Sequence, residues 1–326
     1  METWLEPVFT DLLENKTFSD CLIVVEPETF DCHKVILASA SEFFERMFLG
    51  DFKESKCGQF IVNDVKPKTF KYFLEYIYTY NIKNLKKHNS TVLVDLLVVG
   101  TKWLVASLQS DCVKLLTERA KAMTIGDLLE LFQGAYNVDN KSLIDVAKKN
   151  LKERYKNRMN CYEALMLTSD VFEQYLIVTD RYMEEVERFK MIQDYVNLNG
   201  LHVGDAEADK NEASGVLEIE DVNKVGEGIR KELCDVKPVG DTATKAVELH
   251  VGDQQEMKLK AIHSKYVRTL LGYIKYEKMT KAQFYEVVGK SSLLDFKEKF
   301  EKFNLTAWQY SDDECDSECG DLNSHK

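Results

Sequence analysis

FSDCLIVVEPETFDCHKVILASASEFFERMF, residues 18–48, changes from strand periodicity to helical periodicity over a short distance. Residues 21–25 and 29–33 form two short runs around a Glu-Pro-Glu sequence, a pattern that predicts a β-hairpin. From Val35 onward the apolar residues follow helical spacing, and Ser41 is available as an N-cap. The stretch therefore predicts a small sheet that is covered by helices.

The order of residue types in this stretch resembles the BTB/POZ family. That family's pattern is Ser-Asp, an apolar strand, Phe-x-x-His-Lys, Leu-Ala-x-x-Ser, and an aromatic residue before Met-Phe. Those places are held here by Ser19-Asp20, Phe30, His33-Lys34, Leu37-Ala38, Ser41, Phe44 and Met47-Phe48. The resemblance implies an α+β fold in which helices cap a small sheet. Pro27-Glu28 replaces a glycine that is usual in the hairpin turn, so we expect a wider turn.

Helical patterns continue beyond this first domain. Repeated amphipathic helices after Met123 resemble the BACK region that commonly follows a BTB domain, and Thr124 with Asp127 predicts a capping box at their start. We divide the chain into a BTB/POZ domain (1–120), a BACK-like helical domain (121–198), a flexible acidic linker (199–258), a C-terminal helical segment (259–310) and an acidic disordered tail (311–326).

The C-terminal segment carries its own helical patterns. Thr280 with Gln283 predicts a cap for one helix, and Ser292 with Asp295 predicts a cap for a helix that runs through Phe303. These helices have an apolar face, which could dock on the preceding helical domain, form a small bundle, or bind another protein. Docking or self-packing is the favoured alternative.

The net charge of −12 is concentrated in two segments. Residues 201–258 carry 14 acidic and 7 basic side chains, and residues 311–326 carry 6 acidic and 1 basic. The rest of the chain is neutral on balance, so the sequence lacks the excess of basic residues that nucleic-acid binding requires. Residues 201–258 also contain no Phe, Tyr or Trp, and they cannot bury enough apolar surface to offset their ordering entropy. They are therefore predicted to form a tether.

Length and cysteine usage limit the class of protein further. The 326 residues are enough for two domains, and 44% of them are hydrophobic. No apolar run approaches the roughly 20 residues that a membrane span needs, and the first residues lack the basic region of a signal peptide. The eight cysteines show no CxxC spacing, so a disulfide framework is not expected. These features predict no membrane partner and a cytoplasmic and/or nuclear location.

Candidates for catalysis or metal binding are few. His33, with Asp20 and Lys34 nearby in sequence, is the best catalytic candidate. The BTB resemblance instead places the histidine in the core motif and implies that Asp20 and Lys34 form a buried pair in a small charged pocket near a dimer interface. Phosphate-binding and hydrolase motifs are missing, so we predict neither an enzyme nor a cofactor. Cys315, Cys319 and His325 are fewer than the four ligands of a zinc site, so no metal is predicted.

Phe52-Lys53-Glu54 is the pattern with the most functional content. By resemblance, cullin-binding BTB domains present a hydrophobic-x-Glu motif at this place to the N-terminal region of cullin-3, and the run 52–56 looks most like the speckle-type POZ branch. The resemblance puts Trp103 on the same cullin-facing surface, with Phe48 on the helix before the motif. An aromatic anchor with a directing carboxylate suits a protein interface. The alternative is that Phe52 only fills a gap in its own domain.

The first residues of the chain carry a second interaction pattern. Trp4, Val8, Phe9 and Leu12 lie at helical spacing, and a short helix cannot bury all of them alone. The resembling BTB domains pair through such a helix and through the first helix after His33. We therefore expect a homodimer with a two-fold axis.

Together these patterns predict a non-catalytic adaptor, the substrate-recognition subunit of a cullin-3 RING ubiquitin ligase. Its partners would be cullin-3, a second copy of the chain and an unknown protein substrate. No MATH domain, Kelch repeat or other known substrate reader is visible in the sequence. The alternative is an oligomerisation scaffold or transcriptional co-regulator that does not bind cullin.

Overall fold

A computed structural model of the chain describes residues 5–50, 58–156, 158–201 and 260–306. The chain divides into a first unit, Met1–Met183, and a second unit, Glu184–Lys326. The described strands lie in the first unit and are accompanied by helices, so the predicted α+β fold is confirmed. None of the described helices combines the length and the apolar character needed to cross a membrane.

The first unit begins with the predicted helix and hairpin and continues as helices. Its elements are α1 (Leu5–Asn15), β1 (Cys21–Val25), β2 (Glu28–Cys32), α2 (Lys34–Ala40), α3 (Glu42–Leu49), β3 (Gln59–Ile61), α4 (Pro67–Thr79), α5 (Ile82–Leu85), α6 (Ser90–Lys102), α7 (Ala106–Arg119), α8 (Ile125–Asn137), α9 (Lys141–Arg154) and α10 (Ser169–Thr179). Short 3₁₀ turns at Ala120–Ala122 and Tyr162–Met166 join the later helices.

The sheet has three strands in the order β2-β1-β3. β1 and β2 pair antiparallel from Cys21 opposite Cys32 to Val25 opposite Glu28, which confirms the predicted hairpin. The expectation of a wider turn is wrong, because the ladder continues until only two residues, Glu26-Pro27, remain between the strands. β3 joins β1 in parallel. The alternate residues of β1 that point to one face are buried, so that face is the floor of the core.

Helix α4 begins and ends by local chemistry. Pro67 occupies its first turn, where the missing N–H costs no intrahelical hydrogen bond. At the other end Tyr80 adopts the left-handed conformation with φ 49° and ψ 34°. Its N–H donates to the Tyr76 carbonyl at 2.6 Å and closes the helix. A tyrosine therefore takes a backbone position that glycine normally fills.

Helices α6 to α9 form two successive pairs whose close approach depends on glycine. A Cβ on Gly100 would lie 3.3 Å from the Leu108 side chain, so α7 packs closely on α6. A Cβ on Gly134 would lie 2.3 Å from Cγ1 of Val94, a separation that no real contact allows. Helix α8 therefore approaches α6 more closely than any larger residue would permit. The Thr124–Asp127 capping box at the start of α8 is confirmed.

The second unit combines a helix from before the linker with the C-terminal segment. Its elements are α11 (Glu185–Leu198), α12 (260–272), a 3₁₀ turn (Tyr276–Lys278), α13 (Lys281–Gln283) continued by a π-helical turn (Phe284–Gly289), and α14 (Phe296–Phe303). Lys275 N–H donates to Oε2 of Glu185 at 3.1 Å, so the C-terminal segment packs on α11. The unit boundary at Met183–Glu184 falls inside the range 121–198.

Of the two N-caps predicted for the C-terminal helices, one is present and the other is not. Thr280 and Gln283 form the predicted capping box of α13. The predicted cap of Ser292 with Asp295 is wrong, because Asp295 is itself the N-cap of α14 and forms its capping box with Glu298. Aspartate is as good an N-cap as serine, and a second acceptor three residues later favours the Asp295 start.

Candidate functional site

Helix α3 leads into the Phe52-Lys53-Glu54 motif, and two bonds from one side chain fix where it starts. Ser41 Oγ accepts the N–H of Phe44 at 3.2 Å and donates to the Trp103 carbonyl at 2.5 Å. The first bond caps α3, as the sequence predicted, and the second ties the cap to the end of α6. The orientation of α3 is therefore set by the core of the domain.

Trp103 lies in the core, and its predicted place on a partner-facing surface is wrong. The side chain is fully buried and packs edge-on against Phe44 at 5.4 Å, Phe70 at 5.7 Å and Phe73 at 4.7 Å between ring centroids. The ring sits between α3 and α4, so no face of it is left for another protein. Its Nε1 atom has no hydrogen-bond partner among the described residues. Trp103 thus packs inside the domain and not on the surface where it was expected to lie.

The motif residues Phe52 and Glu54 lie outside the described residues, so their predicted role stays a prediction. The flanks are described. Leu49, the last residue of α3, is 79% exposed. Phe48 is half-buried, and its ring contacts Phe60 of β3 with 4.9 Å between centroids. Phe48 therefore anchors the end of α3 on the sheet, while Leu49 adds an exposed apolar side chain next to the motif.

Helix α1 leaves its apolar residues incompletely covered. It has no fully buried residue although it packs along α4. Val8 is 51% exposed, while Phe9 and Leu12 are half-buried. Trp4 lies outside the described residues. Val35 of α2 is also strongly exposed, which sequence reasoning missed because Val35 belongs to an unbroken apolar run.

Asp20 and Lys34 do not form the buried pair that the resemblance implied. Asp20 is exposed, and its Oδ1 accepts the backbone N–H of Lys34 at 2.7 Å, where it caps the start of α2. The Lys34 ammonium instead lies 5.9 Å from the centre of the Phe60 ring. A carboxylate at a helix N-terminus satisfies an otherwise unpaired N–H and opposes the positive end of the helix dipole. The predicted charged pocket is thus replaced by a cap.

His33 is a core residue with both ring nitrogens engaged. Its Nδ1 lies 2.8 Å from the Tyr78 hydroxyl and its Nε2 lies 2.7 Å from the Thr17 carbonyl. Because a carbonyl only accepts, Nε2 carries the proton and Nδ1 accepts from Tyr78. The ring holds the segment before β1 on α4. This geometry fits the structural role that the sequence comparison with the BTB pattern implied.

The buried thiols have the chemistry of core residues. Burial raises the pKa of the Cys21 and Cys112 thiols to about 12 and that of Cys161 to about 11. Thiols with raised pKa values hold little thiolate at neutral pH and are poor nucleophiles and metal ligands. Within the described parts of the chain, no cluster of three His, Cys, Asp or Glu side chains has the spacing of a metal site.

A surface cavity that sequence reasoning did not find lies between α4, α6 and α8. Its volume is about 300 Å³. Its lining includes Asp95, Glu130 and Gly134. Thr69 and Lys66 both contact the Asp95 carboxylate, at 3.3 and 3.4 Å. No sequence signal could have found it, because the lining residues come together only when α8 packs on α6.

Comparison with known proteins identifies one domain within the first unit. A family model described as the BTB/POZ domain matches residues 9–120. Kelch-like protein 40a of Danio rerio is 30% identical over 154 residues, which is 47% of this chain and 24% of that protein. Kelch-like protein 40 of Xenopus laevis is 29% identical over 154 residues, with the same shares of 47% and 24%. Kelch-like protein 41 of Rattus norvegicus is 26% identical over 153 residues, again 47% and 24%.

These matches are to one region of longer proteins. The chain spans about a quarter of the length of the curated relatives it matches. Those relatives are Kelch-like proteins, so they add no support for a specific likeness to the speckle-type POZ branch. That likeness remains a prediction from the run 52–56.

Proposed function

Residues 9–120 of this chain are a BTB/POZ domain, and from this premise we propose that the protein is a non-catalytic adaptor of a cullin-3 RING ubiquitin ligase. In this role it binds cullin-3, pairs with a second copy and holds a protein substrate close to the ubiquitin-loaded enzyme. The chain would supply proximity and orientation, and the bond chemistry would belong to other subunits. Cytoplasm and nucleus are the compartments proposed for this activity.

One observation carries the cullin-binding part of the proposal. The hydrophobic-x-Glu sequence Phe52-Lys53-Glu54 comes three residues after the end of α3, and α3 is fixed to the core through Ser41 and Trp103. A rigid helix that ends at an exposed leucine offers a pre-organised base for a binding segment, which reduces the ordering cost of association. An aromatic side chain would supply the desolvated contact area, and a carboxylate would select the partner.

The test is direct binding of the full chain to the cullin-3 N-terminal region, measured by isothermal titration calorimetry. Phe52→Ala should lower the affinity at least tenfold, since a central aromatic anchor is worth about 2 kcal/mol or more. Glu54→Lys should lower it comparably through the reversed charge. Lys53→Ala is the matched control, because it changes the middle position of the same motif and should alter the affinity less than about threefold.

Folding must be shown to survive these substitutions. Thermal unfolding of each variant should stay close to that of the unmodified chain, so that a loss of binding reports on the motif and not on unfolding. Binding that Phe52→Ala and Glu54→Lys both leave unchanged would refute cullin recognition by this motif. A chain that does not bind at all would favour the scaffold alternative.

Homodimerisation is supported by a separate surface. Val8 and the exposed Val35 lie on α1 and α2, the two helices through which the resembling BTB domains pair. Val8→Asp places a charge on this surface, and burying a charge without a partner is costly. We expect it to shift the mass measured by light scattering from two chains toward one, while Lys83→Asp on α5 leaves the mass unchanged. A monomeric unmodified chain would refute the dimer.

In the scaffold alternative the chain forms the same dimer but does not bind cullin-3. The observation that favours it is that the exposed Val8 and Val35 lie on α1 and α2, so the expected dimer surface needs neither Phe52 nor Glu54. The adaptor and scaffold hypotheses predict opposite results in the calorimetric experiment and the same result in light scattering. Running both measurements on one preparation therefore separates them.

A further inference from the structure

Helix α14 carries a pair of strongly exposed phenylalanines. Phe296 is 86% exposed and Phe300 is 60% exposed. The two are one helical turn apart and therefore lie on the same face of α14. Adjacent exposed aromatic side chains on a short helix are unusual on a monomer surface and mark a site that something covers.

The exposed pair continues a stripe that is partly packed. Phe303 lies on the same face, seven residues after Phe296, and its ring contacts Phe284 at 5.6 Å between centroids. Phe303 is half-buried by this contact. The stripe is thus covered at its C-terminal end by the π-helical turn and is open at its N-terminal end, where Phe296 and Phe300 project.

Charges are distributed unevenly around this stripe. At 100° per residue, Lys297 and Lys299 fall on its two flanks, and Glu298 and Glu301 fall toward the opposite side of the helix. Glu298 is also engaged in the capping box with Asp295. The whole described segment 260–306 carries 10 basic and 5 acidic side chains, a net charge of +5. The open stripe therefore suits an occupant that combines aromatic residues with negative charge.

The chain itself provides a segment of that composition directly after α14. Residues 307–326 lie outside the described residues and contain Trp308 and Tyr310, followed by six acidic residues and one lysine, a net charge of −5. The linker 199–258 is acidic as well but contains no Phe, Tyr or Trp. Of these two acidic stretches, only residues 307–326 have rings to place on the exposed phenylalanines, and we propose that residues 307–326 dock on the stripe of Phe296 and Phe300.

The connection has the length that this arrangement requires. The described chain leaves α14 in a tight turn, with the N–H of Leu305 donating to the Lys302 carbonyl and that of Thr306 to the Phe303 carbonyl. Eight helical residues rise about 12 Å, and an extended chain covers about 3.3 Å per residue, so roughly four residues span the helix. Trp308 and Tyr310 fall within that reach, and the acidic run then meets the flanking lysines.

The docked segment would occupy the open stripe reversibly. A surface of two phenylalanines and two lysines offers limited contact area, so the docked form would be opened by a competing acidic, aromatic peptide or by salt. The stripe would then become available to a protein partner of the same composition as the tail. The proposal concerns the second unit only, and its success or failure is independent of cullin binding by the first.

The test uses the full chain labelled with 5-fluorotryptophan. The three tryptophans give three ¹⁹F signals, and Trp308→Phe identifies the one from the tail. Docking predicts that the Trp308 signal is shifted from that of free 5-fluorotryptophan and is protected from a soluble gadolinium probe. The double variant Phe296→Ser/Phe300→Ser should return the shift to the free value and increase the gadolinium-induced relaxation at least threefold.

Two further variants make the result specific. Lys297→Glu/Lys299→Glu should have the same effect on Trp308 through charge alone, and raising the salt concentration should reproduce it in the unmodified chain. Phe18→Ser is the matched control, because Phe18 is also 86% exposed but lies in the first unit. It should leave the Trp308 signal unchanged.

Several outcomes would overturn the proposal. A Trp308 signal that already has the free shift in the unmodified chain would show that the tail is not docked. A protected Trp308 that is insensitive to the Phe296 and Phe300 substitutions would place it elsewhere. A fall in mass on light scattering in the double variant, with Trp308 unaffected, would assign the stripe to a second copy of the chain.

Discussion

Replacing Arg188 with alanine should loosen the C-terminal segment from α11. Arg188 Nη1 lies 2.7 Å from Oε2 of Glu185, and the two side chains are only 1% and 4% exposed. The same guanidinium nitrogen donates to the Tyr273 carbonyl at 3.0 Å, and Glu185 accepts the N–H of Lys275. One buried ion pair on α11 therefore holds a backbone donor and a backbone acceptor of the segment 260–306.

The expected cost follows from what the substitution leaves behind. Arg188→Ala leaves the Glu185 carboxylate buried without its counter-charge, a change that typically costs about 3–5 kcal/mol. The Tyr273 carbonyl also loses its hydrogen bond from Arg188, and a hydrogen bond to a charged group is worth about 1.5–3 kcal/mol. These two costs overlap, so we expect a total of about 3–5 kcal/mol. A domain is stable by only about 5–15 kcal/mol, so the second unit should open measurably.

The same helix provides a matched control. Lys190 and Glu187 form an ion pair with the same spacing and the same 2.7 Å distance, but their side chains are 46% and 42% exposed. Lys190→Ala should cost less than about 1 kcal/mol, since exposed pairs contribute little. The double variant Glu185→Leu/Arg188→Met should recover much of the loss, because well-packed apolar residues often replace a buried ion pair without cost.

The measurement is hydrogen exchange of residues 260–276, followed by mass spectrometry. Arg188→Ala should raise the exchange rates of this peptide by at least a factor of about 100, which corresponds to about 2.7 kcal/mol. Lys190→Ala should change them less than about fivefold. Equal, small effects of Arg188→Ala and Lys190→Ala would refute the reasoning, because burial would then make no difference to the pair.

Two further predictions concern the first unit. Gly134→Ala should destabilise it by about 1–3 kcal/mol, because the new methyl group would overlap Cγ1 of Val94. Val94→Ala in the same chain should relieve part of that loss, and denaturant unfolding of the single and double variants measures the coupling; strictly additive effects would contradict it. Burial raises the pKa of the Cys112 thiol from 9.0 to about 12, so the folded chain holds the thiol proton more tightly than the unfolded chain does. The resulting contribution to the free energy of unfolding is complete below pH 9 and is lost as the pH rises toward 12. By pH 10 the loss is about 1.4 kcal/mol. Between pH 7 and pH 10 the unmodified chain should therefore lose more stability than Cys112→Ala, and equal losses would show that the thiol does not titrate differently on unfolding.

Features that depend on neighbours in sequence were predictable without a structure. The hairpin of residues 21–32, the Ser41 cap and the Thr124–Asp127 and Thr280–Gln283 capping boxes are all present. Each depends on side chains within a few residues of the backbone groups that they satisfy, so their spacing in the sequence carries the information. The order of these features also identified the BTB/POZ domain.

Features that depend on distant elements required the tertiary structure. The sequence shows Trp103 as an aromatic residue between two helices, and only the packing of α3 and α4 around its ring places it in the core. The Asp20 carboxylate was assigned an ammonium partner, but the start of α2 brings a backbone N–H closer. In the same way, Arg188 binds a carbonyl 85 residues away. The local sequence determined which residues could be buried, capped or charged, and the three-dimensional packing decided their partners, because burial depends on every element that surrounds a side chain.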